Sequence, residues 1–501
     1  MTTVLRPAPS VVCFQPACRG SALPDDQRCF VHATPERQGS YLAEVRTMAE
    51  VSGLAGTRLG SADMRRLLEA LTGEEGLRVG ILDLSDVTVE GMLPLTQGSI
   101  DMLLLNQTLI EGDLQLEDLD VGELQAMGLR VTGDLAVGSV LVGGHAVLSD
   151  LTVEGDFTGR DNACAEELYL VRCRIKGATR LHVAAPRLNL QSARLEGGGD
   201  IRFHGDMCSL RFADISGPTL LSSGRAFTQD IPGSNEDAPS PVLPRLASLE
   251  SANVDGLTVA GLDLRFCRFS GAHNLDRLRI EDSCVLHYAP QGWSLTRLAI
   301  PVRHSRRRVV MEEITYRATA RGERAWAELL GQQDIDSTIS DIKSPVDIAS
   351  IYRSLRKGRE DARDEPGAAD FYYGEMEMRR QRVSAGPLKN RSGIAERTVI
   401  DAYWAVSGYS LRAWRAFSLL ALLVLASATM IALCWPTYPR VSASAGERYL
   451  NGIWIAVGSI CLRSIPQGSP SGLARLLLCL AVVGPILLGM GLLAIRGRVK
   501  R

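Results

Sequence analysis

The sequence is poor in aromatic residues and contains very little lysine. Aromatic side chains make up 5% of the 501 residues, and the 55 basic residues comprise 50 arginines and 5 lysines. Proteins that bind single-stranded nucleic acid stack the bases on exposed aromatic rings. A chain with so few aromatic rings is therefore not expected to bind nucleic acid.

Motifs that mark common enzyme classes are also missing. The sequence has no G-x-G-x-x-G after a strand, no G-x-x-x-x-G-K-[ST], no H-E-x-x-H, no C-x-x-C and no G-x-S-x-G. Its first twelve residues contain one arginine and no apolar run long enough for a cleavable signal peptide. No catalytic residue and no residue that binds an organic cofactor is assigned, and the interpretation leans toward a protein that is not an enzyme.

Charge is distributed unevenly along the chain although the net charge is only −2. Residues 81–290 carry 30 acidic and 16 basic side chains, a net charge of −14, whereas residues 291–501 carry 18 acidic and 30 basic side chains, a net charge of +12. This asymmetry predicts two regions that face different surroundings.

Eleven cysteines are scattered along the chain, which is an odd number and not a disulfide framework. Their usage predicts reduced thiols in a cytosolic compartment. Four candidate metal ligands with the spacing C-x4-C-x10-C-x2-H lie near the amino terminus: Cys13, Cys18, Cys29 and His32. Tetrahedral zinc takes this ligand set, and a filled four-ligand site would be structural. Residues 1–35 are predicted to form a small zinc-binding module, with ordinary thiols and a surface histidine as the alternative.

Residues 36–78 are predicted to form a helical cap. Within this segment, Ser61 to Gly73 has the polar start and apolar spacing of a helix. A helix at this position would cover an otherwise exposed end of the β-structure predicted to follow it.

A glycine recurs at a nearly constant interval between residues 79 and 290. The first seven of nine copies are separated by 21, 21, 22, 22, 20 and 20 residues. An apolar residue lies two positions before each glycine, and a leucine lies seven positions before eight of them. The nine copies are Gly91, Gly112, Gly133, Gly155, Gly177, Gly197, Gly217, Gly256 and Gly271. The unit L-x-L-x-x-A-x-V-x-G predicts short strands, and its glycine predicts a corner.

A period of about 20 residues with alternating apolar positions predicts a solenoid, because one coil cannot bury its apolar side alone whereas stacked coils make a continuous core. Leucine-rich repeats have a similar period, but their signature needs a helix-forming half and an asparagine ladder that this unit lacks. We therefore predict an all-strand β-helix for residues 79–290.

The same unit, taken as four five-residue steps per turn, resembles degenerate pentapeptide repeats. The clearest copy is LDLRFCRFSG, Leu262 to Gly271, although the strict A-(D/N)-L-x-x pentad is not maintained. The resemblance implies a mainly β fold, the right-handed β-helix of pentapeptide-repeat-like solenoids. Between residues 221 and 244 the period fails in a stretch rich in Ser, Pro, Asp and Gly, which predicts a loop inserted into one coil.

Two uncharged apolar segments near the carboxyl terminus predict membrane spans. Ala416 to Trp435 and Leu476 to Ile495 are each 20 residues long, enough for a helix to cross a bilayer. Basic residues flank their outer ends: Arg412, Arg415, Arg496, Arg498, Lys500 and Arg501. The positive-inside rule then places both termini in the cytoplasm. Residues 412–501 are predicted to form a two-helix transmembrane hairpin in the cell (inner) membrane, in contact with the lipid bilayer.

A shorter apolar stretch, Tyr449 to Leu462, lies between the spans and is predicted to be interfacial or re-entrant. Two spans around a short apolar segment resemble the pore modules of potassium channels. The filter sequence TVGYG of that family is absent, and only Val457, Gly458 and Ser459 are partly similar. An anchor is therefore preferred to a pore.

Residues 291–411 are predicted to be a charged, partly helical juxtamembrane linker, with a helix that begins near Pro345. Glu375 and Glu377 offer acid or base groups there, but a run of mixed charge is typical of a solvated helix face. This linker, together with the terminal LLAIRGRVKR, resembles actinobacterial membrane proteins that carry pentapeptide-like repeats and are often labelled membrane-associated oxidoreductases.

Three functional hypotheses follow. The preferred one is a membrane-anchored cytosolic β-solenoid that acts as a non-enzymatic interaction or scaffold protein for an unknown protein partner, with a homo-oligomer formed through the transmembrane hairpin as a further expectation. The family resemblance implies a membrane-associated oxidoreductase as one alternative. The other alternative is a two-span pore or sensor that the cytosolic repeat domain regulates.

Overall fold

A computed structural model of the chain describes residues 12–73, 76–224, 243–295, 301–303, 306–330, 342–385, 399–404, 406–409, 413–435, 444–461 and 470–499. The chain divides into two compact units. The solenoid unit comprises Met1–Tyr288, Arg308–Lys343 and Arg353–Arg363, and the hairpin unit comprises Ala289–Arg307, Ser344–Tyr352 and Asp364–Arg501. The segment predicted as a linker, residues 291–411, contributes to both units.

The solenoid unit is a parallel β-solenoid of about nine turns, as the repeat predicted. Strands of successive turns pair in parallel within two sheets. The larger sheet consists of β1 (Glu50–Val51), β3 (Thr72–Gly73), β4 (Gly76–Asp83), β6 (Leu93–Leu104), β8 (Leu114–Gln125), β10 (Leu135–Gly138), β11 (Leu141–Val142), β12 (Ala146–Val147), β14 (Phe157–Cys164), β15 (Glu167–Tyr169), β17 (Thr179–Ala184), β18 (Arg187–Asn189), β20 (Gly199–His204), β21 (Met207–Ser209), β23 (Thr219–Ser223), β24 (Arg245–Ser248), β25 (Leu257–Ala260) and β26 (Arg279–Ile280).

The smaller sheet consists of β2 (Arg58–Leu59), β5 (Thr88–Glu90), β7 (Leu109–Glu111), β9 (Arg130–Val131), β13 (Thr152–Val153), β16 (Arg174–Ile175), β19 (Arg194–Leu195) and β22 (Asp214–Ile215). Two short antiparallel pairs follow the solenoid. In the solenoid unit β27 (His287–Tyr288) pairs with β30 (Arg308–Val309), and in the hairpin unit β28 (Trp293–Leu295) pairs with β29 (Pro301–Arg303).

The apolar residue two positions before each glycine forms one continuous buried column. In the smaller sheet Val89 lies opposite Ile110, and Ile110 lies opposite Val131. The other members are Val153, Ile175, Leu195, Ile215, Val254 and Phe269, and all nine side chains are at most 1% exposed. This burial confirms the predicted inward face. A one-residue slip in register would instead turn the whole column toward solvent.

The recurrent glycines lie at bends or turns, and most of them also permit close approach between successive turns. Left-handed backbone occurs at only three of the nine, Gly91, Gly256 and Gly271. A Cβ on Gly177 would lie 2.3 Å from the carbonyl oxygen of Gly155, and a Cβ on Gly197 would lie 2.3 Å from that of Gly177. Since these glycines stack on one another, a side chain at Gly177 or Gly197 would collide with the backbone of the preceding turn.

The left-handed corners lie five positions before the glycines. Eight residues in this column have φ between 54° and 72°: Asp86, Gln107, Gly128, Asp150, Arg172, Ser192, Phe212 and Ser251. Only one of them is a glycine. The repeated glycines do lie at bends or turns, as predicted, but the left-handed conformation occurs mainly in this separate column, where residues with side chains adopt it.

Three consecutive turns place an aspartate directly after the column glycine. Asp113 Oδ1 accepts the backbone N–H of Asp134, and Asp134 Oδ1 accepts that of Asp156, each at 2.8 Å. A Cβ on Gly133 would lie 2.0 Å from Asp113 Oδ1. The Gly-Asp pair is therefore a unit in which the glycine leaves room for a carboxylate that satisfies a backbone donor of the next turn.

The amino-terminal end of the solenoid is covered by one additional rung and two helices. Strand β1 pairs with β4, and β2 pairs with β5. Helix α1 (Pro35–Met48) and helix α2 (Ser61–Leu71) pack beside this rung, and α2 buries Met64, Leu67 and Leu71. The predicted helix at Ser61 is confirmed. The first turn of the solenoid would otherwise expose a sheet edge, and β1 and β2 pair with that edge.

Buried charged side chains close the other end of the solenoid. They lie on helix α3 (Met311–Thr315) and on the π-helical turn Tyr316–Ala320, which helix α4 (Arg324–Leu330) follows. The carboxylate of Glu312 accepts the backbone N–H of Phe269 in the solenoid. Glu313 is fully buried and accepts a 2.8 Å hydrogen bond from Arg317, whose guanidinium also lies over the ring of Trp326. The pair of Glu313 and Arg317 satisfies charges that would otherwise be costly to bury, whereas Glu312 Oε2 is buried without a hydrogen-bond partner among the described residues.

Glu312→Gln is expected to flatten the pH dependence of solenoid stability. Burial raises the pKa of Glu312 from 4.5 to about 7 against the opposing backbone N–H groups of Phe269 and Ser270. The free energy of unfolding that the folded chain gains from protonated Glu312 is complete below pH 4.5. It is lost as the pH rises through about 7, because the unfolded chain releases this proton first. Between about pH 5 and 8 the wild-type chain should lose roughly 3 kcal/mol, seen as a falling midpoint of thermal unfolding. Equal slopes in the wild type and the variant would contradict this assignment.

The loop predicted at residues 221–244 lies largely outside the described residues. Strand β23 continues through Ser223, so the first residues of that segment belong to a regular turn. The chain is described again from residue 243, and β24 pairs with β21 of the preceding turn. Residues 225–242 are outside the description.

The hairpin unit contains mostly helices. Helix α5 (Pro345–Asp361) begins at the residue predicted from the sequence, and its second half contributes to the solenoid unit. The remaining helices are α6 (Glu365–Ala385), α7 (Ala413–Cys434), α8 (Ala445–Ile460) and α9 (Ser471–Val499).

Candidate metal centre and membrane hairpin

The first half of the candidate metal centre is a short hairpin. Val12 bridges Ser21 in antiparallel fashion, and the backbone N–H of Cys13 donates to Gly20 at 2.8 Å. At its tip Cys18 donates its backbone N–H to Gln15 at 3.1 Å, and Ala17 between them has φ of 66°. Proline at position 16, followed by a left-handed residue, is the pattern of a type II turn. This turn places Cys13 and Cys18 on the two arms of the short hairpin.

A second proline turn returns the chain to the hairpin. Asp26 donates its backbone N–H to Leu23 at 3.0 Å, and Asp25 between them has φ of 60°. Phe14 then donates its backbone N–H to Gln27 at 2.8 Å, so the returning strand lies beside the first. Cys29 is thereby brought next to the first two cysteines.

A single turn of 3-10 helix, Phe30–His32, positions the fourth candidate ligand. The backbone N–H of His32 donates to Cys29 at 3.0 Å. Because residues three apart on such a turn lie on the same side, the imidazole returns toward the thiol, and His32 Nδ1 lies 3.3 Å from Cys29 Sγ.

The structure brings all four predicted ligands together. Their ligand atoms lie within 4.8 Å of one another, with Cys18 Sγ 3.7 Å from Cys29 Sγ and Cys13 Sγ 3.7 Å from His32 Nδ1. Metal–sulfur bonds of about 2.3 Å and metal–nitrogen bonds of about 2.0 Å separate tetrahedral ligands by about 3.5–3.8 Å. The Cys3His group therefore has the spacing needed to hold a metal ion.

The thiols of the centre have opposite electrostatic surroundings. Burial opposes ionisation of Cys13, but the backbone N–H groups of Cys29 and Gln15, together with His32, lower its pKa to about 6. Burial raises the pKa of Cys29 to about 12, and the neighbouring thiols Cys18 and Cys13 add to the rise. Three thiols this close cannot all ionise without a cation between them, which is the condition a bound metal would meet.

Residues outside the quartet hold the centre against the solenoid. A Cβ on Gly20 would lie 2.7 Å from Thr57 Cγ2 and 3.0 Å from the Cβ of Cys29. Ser21 donates its backbone N–H to Ala55 at 2.7 Å, and Thr88 of the first turn donates to Thr57 at 2.9 Å. The sequence analysis did not identify Thr57, since the close packing of a threonine on a distant glycine leaves no local pattern.

A buried aromatic pair supports the same module. Phe30 is fully buried, and its ring centroid lies 5.3 Å from that of Tyr41 on α1. The Tyr41 hydroxyl donates to the carbonyl of Ser52 at 2.8 Å, while Gln38 Nε2 donates to the carbonyl of Phe30 at 2.8 Å. The module and the helical cap consequently share one core.

The two carboxylates of the charged segment are not on a solvated helix face. Glu375 is 1% exposed and Glu377 is 2% exposed, which corrects the sequence interpretation. Arg379 donates to Glu375 at 2.6 Å, and Arg380 donates to Glu377 at 3.0 Å. These arginine partners explain how the carboxylates are buried on α6, and they give both a structural role within the hairpin unit.

Aromatic side chains surround the second of these ion pairs. Arg380 lies 4.1 Å above the Trp404 ring, and Tyr409 donates to Glu377 Oε1 at 3.2 Å. Trp404 Nε1 donates to the Tyr373 hydroxyl at 3.0 Å. Burial and the Glu377 carboxylate raise the pKa of Tyr409 well above its usual range, so it stays a neutral donor.

Two helices of the hairpin unit are long and apolar enough to cross a membrane, Ala413–Cys434 and Ser471–Ile495. The first covers the predicted span from Ala416 up to Cys434, one residue short of its end, and the second contains the whole predicted span Leu476 to Ile495. Trp414 and Trp435 lie at the two ends of α7, where amphipathic rings of membrane helices meet the headgroups. Large apolar side chains remain exposed along both helices, among them Leu422, Leu433, Val482 and Leu492.

The short apolar stretch between these helices is itself helical and packs against both of them. Helix α8 has 16 residues, which is too short to span a bilayer. A Cβ on its Gly452 would lie 2.8 Å from the carbonyl oxygen of Ala428 on α7. On the other side, Ser459 donates its hydroxyl to the carbonyl of Leu477 on α9 at 2.7 Å. Small residues therefore permit close contact between α8 and α7.

Comparisons with known proteins identify no relative of this chain. No protein-family profile matches it, and neither a curated protein nor a solved structure with significant similarity was found. Its function is therefore inferred from its own residues.

Proposed function

We propose that this protein is a membrane-anchored, non-enzymatic scaffold whose β-solenoid presents its faces to a protein partner. One observation carries the proposal: a single chain combines a parallel β-solenoid with two helices long and apolar enough to span a bilayer. Stacked turns give the long regular surfaces that repeat proteins use for binding. Isolation of the intact protein with its bound partner is the direct test of the scaffold role.

The solenoid is proposed to face the cytoplasm from the cell (inner) membrane. Basic residues at the outer ends of the two long helices favour cytoplasmic positions for both termini. The scattered, odd number of cysteines also favours a reducing compartment. Protease added to intact spheroplasts should accordingly leave the solenoid uncut.

A chain that ends at residue 411 is expected to leave the membrane. The full chain should remain in the membrane pellet after alkaline carbonate extraction, because two apolar helices hold it in the bilayer. The truncated chain should appear in the soluble fraction with the circular dichroism of β-structure. Release of the full chain by carbonate would contradict the anchoring role.

The amino-terminal Cys3His centre is proposed to hold a structural Zn2+ ion. The donor set of three sulfurs and one nitrogen, with the observed spacings, supports zinc. Bound there, zinc would neutralise the thiolates and join the hairpin of Cys13 and Cys18 to the turn that carries Cys29 and His32. Elemental analysis of the purified protein should find one zinc per chain.

The origin of the chain is also a proposal. The repeat unit and the segment before the hairpin support membership of the actinobacterial membrane proteins with pentapeptide-like repeats. The oxidoreductase activity implied by the label of that group would require a bound flavin or nicotinamide, which the absorbance spectrum of detergent-purified protein would reveal.

A pore is the second candidate function, and the packing of α8 favours it. A short helix held between two membrane helices is the arrangement that pore modules use to present a filter. Such a pore requires several copies of the hairpin, so it would also need a homo-oligomer. Ion flux into vesicles that contain the purified protein would support the pore over the simple anchor.

A further inference from the structure

The three thiols of the Cys3His centre differ in their access to solvent. Cys13 is 5% exposed and Cys29 is 1% exposed, whereas Cys18 is only half-buried. Cys18 also follows an exposed turn, since Phe14, Pro16 and Ala17 all face solvent. A small solute from water consequently reaches Cys18 first.

Cys18 is also close to a thiol that can complete a disulfide. Its sulfur lies 3.7 Å from Cys29 Sγ, so closure requires the two sulfurs to approach by less than about 2 Å. The backbone N–H of Gly20 donates to Cys18 Sγ at 3.4 Å, which helps to fix the position of this sulfur. An accessible sulfur beside a buried partner is the arrangement of a reactive and a resolving thiol.

The other cysteines do not offer this combination. Five lie buried within the solenoid unit: Cys164, Cys173, Cys208, Cys267 and Cys284. Three are exposed but lie on or directly after helices of the hairpin unit: Cys434, Cys461 and Cys479. Peroxide in the aqueous phase is therefore expected to select the amino-terminal centre.

We propose that Cys18 and Cys29 form a peroxide-sensitive switch that opens the amino-terminal module. The inference rests on the metal-binding role proposed above and adds its regulation. The chemical class that acts on the site is a hydroperoxide, either hydrogen peroxide or a lipid hydroperoxide from the membrane.

The reaction balances in two steps. The Cys18 thiolate attacks the peroxide, an S–O bond forms and the O–O bond breaks, and the leaving oxygen takes a proton to give water or an alcohol. The Cys29 thiolate then attacks the Cys18 sulfenic acid, an S–S bond forms and the S–O bond breaks, and hydroxide leaves as water. Two electrons pass from the two sulfurs to the peroxide, and a dithiol restores the starting state.

Disulfide formation removes two of the four ligands at once. Cys13 and His32 alone would provide an incomplete ligand set, too weak to retain a bound zinc ion. The contacts that tie the module to the solenoid depend on the position of Cys29 against Gly20. Oxidation thus loosens the cap while the turns of the solenoid remain folded.

The experiment uses the full chain, loaded with zinc in detergent, in which Cys434, Cys461 and Cys479 are replaced by serine. Hydrogen peroxide is added, released zinc is measured with a chromogenic chelator, and disulfides are mapped by mass spectrometry without reduction. We expect one zinc released for each Cys18–Cys29 disulfide, and recovery of both with dithiothreitol and added zinc. Repeating the assay with a lipid hydroperoxide identifies the source of the oxidant.

Matched variants separate the reactive thiol from the ligand set. Cys18→His keeps four ligands and removes the accessible sulfur, and zinc release should slow at least about tenfold. Cys13→His also keeps four ligands but retains the Cys18–Cys29 pair, and it should stay sensitive.

Three outcomes overturn the switch: retention of zinc under peroxide, a disulfide that excludes Cys18, or release without any disulfide. The disulfide map of the protein without either histidine substitution shows whether Cys18 and Cys29 pair. This test of the switch holds even where a histidine variant fails to fold. A preparation that never contains a metal contradicts the proposed zinc centre itself, and is thereby distinguished from failure of the switch.

Discussion

Substitution of Cys29 by serine is expected to abolish stoichiometric zinc binding and to unfold the amino-terminal module. Cys29 is the ligand nearest both Cys18 and His32, and it is 1% exposed. Zinc binding to small structural sites supplies about 10 kcal/mol or more of folding free energy, so loss of one ligand should weaken affinity by roughly a thousandfold. Chelation of the wild-type protein should have the same structural effect.

Limited proteolysis measures this unfolding directly. Arg19 and Arg28 lie within the module, and both should become sites of rapid tryptic cleavage in Cys29→Ser. The turns of the solenoid should stay resistant, because their core does not include the module. Zinc content per chain is measured in parallel by elemental analysis.

Cys173→Ala is the matched control for loss of a buried thiol. Cys173 is fully buried in the column four positions before the glycines, where three other turns carry Ala193, Ala213 and Ala252. Alanine is therefore compatible with this site, and the variant should keep its zinc and its resistance to trypsin. Equal zinc content in Cys29→Ser and the wild type would contradict the metal centre.

Gly177→Ala is expected to disrupt the middle turns of the solenoid. The added Cβ would lie 2.3 Å from the carbonyl oxygen of Gly155 and 2.4 Å from its carbonyl carbon. Both are backbone atoms of the preceding turn, so relief of the clash requires the turns to separate, at a cost of roughly 3 kcal/mol or more. The midpoint of thermal unfolding, followed by circular dichroism, should fall markedly.

Gly138→Ala provides the control on the same solenoid. Its added Cβ would lie 3.6 Å from the Glu117 side chain, an ordinary van der Waals contact. Neither Gly138 nor Gly177 has left-handed backbone, so both substitutions preserve a conformation that alanine can adopt. The control should change stability by less than about 1 kcal/mol. Similar losses in the two variants would mean that the glycine column does not serve close approach.

The stacked turns were predictable because their signal repeats. Each copy of the unit contributes the same apolar column, and nine copies leave little ambiguity about which residues face inward. Val89, Ile110 and Val131 are typical, since their spacing alone placed them opposite one another in the sheet. Regular parallel stacking converts sequence separation directly into spatial contact.

The left-handed corners were not predicted, because backbone conformation does not follow from residue type alone. Arg172 and Phe212 adopt left-handed backbone although such residues seldom do. The stacked turns above and below impose this conformation, and the energy of the continuous core compensates for its cost. The glycines were correctly placed at corners, and the structure adds close approach between turns as a second reason for them.

The charged residues depended most on the tertiary structure. Glu312, Glu313, Glu375 and Glu377 are all nearly or fully buried, and nothing in their local sequence distinguishes them from surface residues. Their burial depends on partners such as Arg317 and Arg380, which sequence proximity suggests but does not establish. A buried carboxylate is stable only when its partners and backbone donors are already in place.

The sequence by itself determined the stacked turns of the β-solenoid, the two apolar helices and the four candidate ligands. Each of these features rests on residue spacing or on a continuous run along the chain. Only the tertiary structure decided that Cys18 is accessible and Cys29 is buried, that the glycines stack backbone on backbone, and that α8 packs against both long helices. These features arise from contacts between distant segments, and such contacts exist only once the chain has folded.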